Sequence, residues 1–349
     1  MRARAVGLAA FAGAAAGGAA LGYLAERRAM SAIDTDDAAD LANPHAGARV
    51  EVRADDGTPL QAEVSGPLQP EAGGRQGAAT LVLVHGLGLS QQTWHYQRRA
   101  LESRYRVVSY DHRGHGRSGR AASGDYSMAA LGRDLGSVVA ACAPNGPLVL
   151  IGHSMGAMAI LAAVSSAPSV YDRTVAVVLA NSAGGSILGG AFRSTAAASL
   201  RTIQARLVGG RFARRMLDSN NPAARPATDL SLLLTRQFGL STDASPEVVA
   251  FLETQLRAAP PTVLGGFAPH MTTADLADEA AALPVPALVI IGQRDRITPP
   301  RQGQRLVEIL PDAEPVEIEG VGHTSMLEAP EQFTAAVERF AGEMLAQAA

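Results

Sequence analysis

The stretch LVLIGHSMGAM, Leu148 to Met158, carries the residues best suited to chemistry. It sets Ser154 in the pattern Gly152-His153-Ser154-Met155-Gly156, where an apolar strand-like run passes into a helical one. Serine in that place has two readings. It is a favoured helix N-cap. It is also a nucleophile, provided a base takes its proton and a third group orients the base. The glycines suit the second reading, because a sharp turn presenting Oγ outwards leaves side chains at 152 and 156 to collide with the adjoining strand and helix. The stretch taken alone nevertheless favours the cap, and the residues further along the chain reverse that. A helix N-terminus also favours negative charge developing beside it.

The base and the acid are expected at the ends of later strands. ALVIIGQRD delivers Asp295 just past an apolar run, and EPVEIEGVGH delivers His323 after the next. Asp295 also reads as the residue that starts the turn RDRITPP. His323 also reads as a loop histidine, although Gly320 and Gly322 around it point to a tightly bent backbone. Jointly, Ser154, Asp295 and His323 supply nucleophile, orienting acid and base. The oxyanion of a tetrahedral intermediate needs two N–H donors. The amide of Met155 is one candidate. The amide of Leu87, in His85-Gly86-Leu87-Gly88, is the other, with Gly86 and Gly88 letting that loop come close. Gly86 and Trp94 are the candidate substrate-binding residues. Trp94 equally reads as a pin between the first helix and the sheet. His85 reads as a buttress of the loop, His95 as a surface residue, and His270 as a cap histidine without an evident partner. His153, next to the serine in a sharp turn, should point away from Oγ and is not the expected base. No His, Cys or Asp cluster has metal-ligand spacing, and no phosphate-loop motif is present. No metal and no cofactor is expected.

These residues need a scaffold that brings strand ends together. RVEVRADDGTPLQAEV reads as two alternating strands about Asp55-Asp56-Gly57. Short apolar runs then recur in ATLVLVHG, YRVVSYDHRG, PLVLIGHS, TVAVVLANS and PALVIIGQRD, with a more polar, edge-like EPVEIEGVGH. Helical stretches lie between them, near 91–103, 127–142, 155–166, 300–309 and 330–346. Alternation of this kind predicts an α/β fold: a mostly parallel sheet with helices on both faces. The rhythm breaks over 184–282, where RSTAAASLRTIQARLVGGRFARRML and PEVVAFLETQLRAA read as helices of a cap over the C-terminal edge of the sheet. The expected organisation is therefore a core of 48–183 and 283–349, a helical cap of 184–282, a linker of 31–47 and an apolar N-terminal segment of 1–30.

That N-terminal segment is uncharged from Ala5 to Ala25 and flanked by arginines. Its ~20 residues match a bilayer crossing in length, but most are Ala and Gly. It reads as a signal anchor, a cleaved signal peptide or a soluble Ala-rich helix. The first two place the protein at a membrane, through residues 5–25, or outside the cell. The third leaves it cytoplasmic. The lone Cys142 lies in an apolar helical pattern and reads as a core residue. Of 349 residues, 47% are hydrophobic and 18% charged, which excludes a disordered chain, and a net charge of −3 gives no basic excess for nucleic acid. The oligomeric state is not legible.

With these residues in view, the chain resembles the α/β-hydrolase superfamily. The landmarks are HGLG (85–88), DHRGHGRS (111–118), GHSMG (152–156), GQRD (292–295) and GHTSMLEAP (322–330), spread over about 49–345. The resemblance implies an eight-stranded-type sheet and a Ser…Asp…His triad in that chain order. It implies that DHRGHGRS shapes a loop beside the pocket, with Asp111, His112, Arg113 and His115 structural. Dehalogenases and epoxide hydrolases of this fold carry aspartate in place of Ser154, so the serine argues against both. GHSMG followed by Ala157 is similar to monoacylglycerol-lipase-like esterases. The expected activity is hydrolysis of a small-molecule carboxylic ester, lipid-like or with an apolar acyl group, through an acyl-enzyme. A cofactor-free perhydrolase, haloperoxidase-like enzyme or C–C hydrolase on the same triad is the alternative within the fold. A non-catalytic small-molecule receptor is the alternative outside catalysis.

Overall fold

The computed structural model describes Leu41 and residues 47–67, 79–185, 240–241 and 243–349. Within them an eight-stranded sheet forms, in the order β1-β2-β4-β3-β5-β6-β7-β8. The strands are β1 (Ala48–Arg53), β2 (Pro59–Ser65), β3 (Thr80–Val84), β4 (Arg106–Tyr110), β5 (Leu148–His153), β6 (Thr174–Ala180), β7 (Ala287–Gly292) and β8 (Ala313–Ile318). β1 and β2 pair antiparallel, and β2 joins β4 antiparallel. From β4 through β8 every pairing is parallel.

The apolar runs explain where each strand lies. β3, β5 and β7 are buried along their whole length, as strands covered on both faces must be. Period-2 alternation divides their side chains between two cores. Val82, Val84, Leu150, Leu179 and Val289 face one layer, where α2 (Met128–Cys142) and α3 (Met155–Ser166) pack. Leu81, Leu83, Ile151, Val178 and Ile290 face the other, against α1 (His95–Leu101) and the C-terminal helix, α9 below. β8 is the polar edge strand that its sequence suggested, and it holds Pro315, which an edge tolerates because one side of the ladder needs no donor.

Three further helices belong to the stretch where the strand rhythm breaks: α4 (Pro246–Ala258), α5 (Pro261–Thr273) and α6 (Ala277–Ala281). After β7 come α7 (Pro300–Ile309), α8 (Ser325–Glu328) and α9 (Pro330–Ala348). α4 and α5 sit against the loops that leave the C-terminal ends of β3 and β4. A Cβ on Gly88 would lie 2.8 Å from Leu256, and one on Gly114 2.7 Å from Val263.

Two expectations change. The reading of a transmembrane helix is corrected: among the described residues no helix is long and apolar enough to cross a membrane. Residues 5–25, on which that reading rested, lie outside the described residues, as do most of the linker and residues 186–239 of the expected cap. Their Ala and Gly content is a weak hydrophobic signal, since small side chains bury little apolar area. His95 is not a surface residue. It starts α1 with 2% exposure, its ring 5.2 Å from that of Tyr96. Cys142 is buried in α2, and burial pushes its thiol up.

Candidate active site

β5 ends at His153, and the chain turns sharply into α3 through Ser154 at φ 52°, ψ −117°. A non-glycine residue with positive φ costs on the order of 1–3 kcal/mol and persists only where its surroundings over-determine it. The surroundings here are specific. The Ser154 N–H donates to the Ala180 carbonyl at 2.9 Å, and the Ser154 carbonyl accepts from Ser182 Oγ at 3.0 Å. A Cβ on Gly152 would stand 2.6 Å from the Ala157 nitrogen, and one on Gly156 2.1 Å from the Val84 carbonyl. Strand and helix thus approach to distances that only glycine allows. Met155 is the first residue of α3, so its N–H has no acceptor one turn earlier.

His323 arrives from the loop after β8. Its Nε2 lies 3.0 Å from Ser154 Oγ, and its Nδ1 donates to Asp295 Oδ2 at 2.8 Å. Glu328 latches this loop. One of its carboxylate oxygens accepts the N–H groups of Gly322 and Ser241, at 3.0 and 2.9 Å. The other accepts the N–H and hydroxyl of Thr324, at 3.1 and 3.0 Å. The latch joins the His323 loop to the segment that leads into α4.

Asp295 starts the turn that its sequence suggested and also meets His323. Oδ1 starts the RDRITPP turn, accepting the amides of Ile297 and Thr298 at 2.8 Å each. Oδ2 accepts from His323, from Thr298 Oγ1 at 2.7 Å and from Asn181 Nδ2 at 3.0 Å. Burial pushes its carboxyl up, but the His323 imidazole and the hydrogen bonds from His323 and Thr298 outweigh this and hold it below the ordinary carboxylate value. A carboxylate so held stays ionised beside the imidazole.

His153 takes a role no sequence signal announced. Its Nε2 donates to the His323 carbonyl at 2.7 Å. Burial, and then the His323 imidazole, push it down to about 3, so it is a neutral brace under the His323 loop. Gly86 lies directly above it: a Cβ there would be 2.7 Å from His153 Nδ1 and 3.2 Å from Ser154 Cβ. The His85–Gly88 loop therefore passes over the serine, with Leu87 half-buried against the core.

Three more buried histidines hold that loop. His85 Nδ1 donates to the Gly86 carbonyl at 2.8 Å, and its Nε2 accepts the His112 N–H at 3.0 Å. His112 Nε2 returns a bond to the His85 carbonyl at 3.0 Å. His115 Nε2 accepts the Gly88 N–H at 3.0 Å. Burial, and then neighbouring imidazoles, push His85 far down and His112 to about 3; burial takes His115 to about 4. Beside them Arg113 is buried in a two-pronged pair with Asp134, at 2.7 and 2.6 Å. Asp111 accepts the N–H groups of Gln91 and Arg117 at 2.8 and 2.9 Å. A cavity of about 260 Å³, lined in part by Glu63, Gln91, Asp111 and Gln255, lies on this side of the loop and includes none of Ser154, Asp295 and His323.

Of the two places open to Trp94, the structure takes the packing one. Its side chain is fully buried, 6.0 Å from the ring of Phe333 in α9. Asn181, Thr298 and Glu328 were not singled out from the sequence. An Asp three residues before a Thr is a turn signature that could have marked Thr298. Asn181 and Glu328 bond across 114 and 87 positions, which no local pattern reveals.

The sequence profile of the alpha/beta hydrolase family matches residues 81–337. The chain belongs to the alpha/beta hydrolase family. Its relatives carry more than one named activity. Over 98 residues it is 41% identical to a protein of Caulobacter sp. (strain K31) named as a candidate carbamate hydrolase, RutD. That stretch is 28% of this chain and 36% of the relative, so the match spans little more than a third of the relative's length. A thermophilic esterase of Thermogutta terrifontis superposes with a TM-score of 0.67 at 25% identity, covering 85% of this chain and 99% of that one. The enol-lactonase of Burkholderia xenovorans LB400 gives a TM-score of 0.64 at 27% identity, covering 84% and 100%.

Proposed function

We propose that this hydrolase cleaves carboxylic esters of apolar acyl groups through a covalent acyl-enzyme on Ser154. The observation that carries the reading is the hydrogen-bonded line from Ser154 Oγ to His323 Nε2 (3.0 Å) and from Nδ1 to Asp295 Oδ2 (2.8 Å), ending on a serine held at φ 52°. His323 Nε2 takes the hydroxyl proton as Oγ bonds to the ester carbonyl carbon. The carbonyl π electrons move to oxygen, which the amides of Leu87 and Met155 receive. The intermediate collapses, the alkoxide leaves, and the imidazolium returns the proton to it. Water then repeats the sequence at the acyl carbonyl, giving the acid and free serine. Asp295 keeps the proton on Nδ1 and stabilises the imidazolium.

Residues 48–183 and 283–349 are the core that holds this line, and 184–282 the cap that selects the substrate. The relative named for carbamates supports one extension, because a carbamate carbonyl is open to the same attack. The test is a panel of p-nitrophenyl esters of rising acyl length beside a p-nitrophenyl carbamate. The expected result is turnover of at least one ester, abolished in Ser154→Ala. Ester turnover that survives in Ser154→Ala overturns the proposal. Turnover of the carbamate alone would replace the ester by that substrate.

A further inference from the structure

Asn181 follows β6 immediately and is, with Ser154, one of two non-glycine residues of positive φ among the described residues, at φ 47°. It is 3% exposed and touches no atom that would react. Its amide spans the loops of two other strands. Nδ2 donates to Asp295 Oδ2 at 3.0 Å and to the Gly322 carbonyl at 3.1 Å, and Oδ1 accepts the Ser325 hydroxyl. The orientation of the amide follows from its partners. A carboxylate and a carbonyl only accept, so the NH₂ faces them, and the hydroxyl meets the oxygen. Gly322 supplies the peptide unit immediately before His323. One side chain therefore grips the acid's hydrogen-bonding oxygen and the peptide that carries the base.

We propose that Asn181 is a positioning residue for the Asp295–His323 pair, fixing their relative placement and sharing the negative charge of Oδ2. This rests on the Ser154–His323–Asp295 reading above. Three donors converge on Oδ2: His323 Nδ1, Thr298 Oγ1 and Asn181 Nδ2. Removing the last leaves more charge on that oxygen, which strengthens its hold on the imidazolium and moves the acid limb of kcat/KM to higher pH. It also frees the Gly322 carbonyl, so Nε2 loses alignment with Oγ and kcat falls while KM does not. The other ionisable groups around the pair are His153 from β5, which donates to the His323 carbonyl, Glu328 from α8, which binds the loop amides, and Arg294, whose partner is Asp243.

The experiment compares pH profiles of kcat and kcat/KM for the full-length wild type, Asn181→Gly, Asn181→Asp and Ser325→Ala on one p-nitrophenyl ester. Glycine removes the amide yet accepts positive φ without strain, and aspartate also tolerates it. For Asn181→Gly the expected kcat loss is about 10–100-fold with KM within about twofold, as a misplacement near 1 Å gives, and the acid limb rises. Asn181→Asp sets a second carboxyl against Oδ2, so its acid limb should rise further, by about one pH unit or more. Wild-type kcat and an unmoved acid limb in Asn181→Gly, or a loss confined to Tm, overturn the proposal. Should Asn181→Gly fail to fold, Ser325→Ala decides: it unlocks the amide, and an unmoved profile is again a refutation. Fluorophosphonate labelling of wild-type Ser154 separates the two levels. A labelled wild type with an unaltered Asn181→Gly refutes the positioning role alone, whereas an unlabelled wild type refutes the triad reading beneath it.

Discussion

Replacing Asp295 by asparagine keeps the shape of the side chain and removes one acceptor. The carboxylate accepts five hydrogen bonds: Ile297 and Thr298 amides on Oδ1, and Thr298 Oγ1, Asn181 Nδ2 and His323 Nδ1 on Oδ2. The new amide has two orientations. With its NH₂ towards the two backbone amides, two buried donors that cannot turn lose their acceptor, at about 1–3 kcal/mol each. With its NH₂ towards the Oδ2 side, the Thr298 hydroxyl can rotate and His323 can change tautomer, leaving only the Asn181 donor unpaired. The second orientation is therefore favoured. Its consequence is chemical: Nδ1 becomes an acceptor, the imidazole proton moves to Nε2, and Nε2 no longer takes the Ser154 proton. The expected loss in kcat is about 10⁴-fold, which at about 1.4 kcal/mol per decade is about 5.5 kcal/mol of transition-state stabilisation. Stability should fall by a further ~1–3 kcal/mol for the stranded Asn181 donor. Steady-state hydrolysis of a p-nitrophenyl ester and urea unfolding measure the two effects. An Asp295→Asn enzyme within tenfold of wild type would show Asp295 to be only the start of its turn.

Gly156→Ala drives a Cβ to 2.1 Å from the Val84 carbonyl and 2.8 Å from that of His85, both backbone, so α3 must move off β3. The expected destabilisation is at least ~1–3 kcal/mol in urea unfolding, with activity lost as Met155 is displaced. Trp94→Ala should cost ~3–5 kcal/mol for a large core side chain while KM stays within about twofold, read from unfolding and kinetics together. The buried histidines give a pH dependence. His112 and His153 are pushed down to about 3 and His115 to about 4, so they stay neutral in the fold while the unfolded chain protonates them below ~6.5. Their contribution is complete above pH ~6.5 and is lost progressively as pH falls towards about 4 and then 3; Tm measured from pH 7.5 to 4 should therefore drop, and a flat curve would contradict their neutrality.

How much was legible depends on range. The strands were, because β3, β5, β6 and β7 are continuous apolar runs and only burial on both faces requires that. Ser154, Asp295 and His323 were legible as a set because each sits just past a strand, where a parallel sheet collects its loops. Trp94 was not, since a large aromatic after a loop suits a pocket wall and a core pin equally; the facing Phe333 decided it. His95 misled because a polar residue in a polar string gives no sign of the layer above it. Asn181 and Glu328 were silent for another reason. Asn181 reaches loops that follow two other strands, and Glu328 ties its own loop to Ser241, 87 positions away, so an amide or carboxylate shows its direction only once those loops are placed.

Ser154 is proposed to carry the acyl group. Mixing the enzyme with a slow p-nitrophenyl ester, quenching in acid and mapping the digest by mass spectrometry reads this directly. The expected result is an acyl adduct on the peptide holding Ser154, formed with a burst of p-nitrophenol, and absent from both Ser154→Ala and His323→Ala. An adduct on another residue, or undiminished turnover in Ser154→Ala, would contradict it.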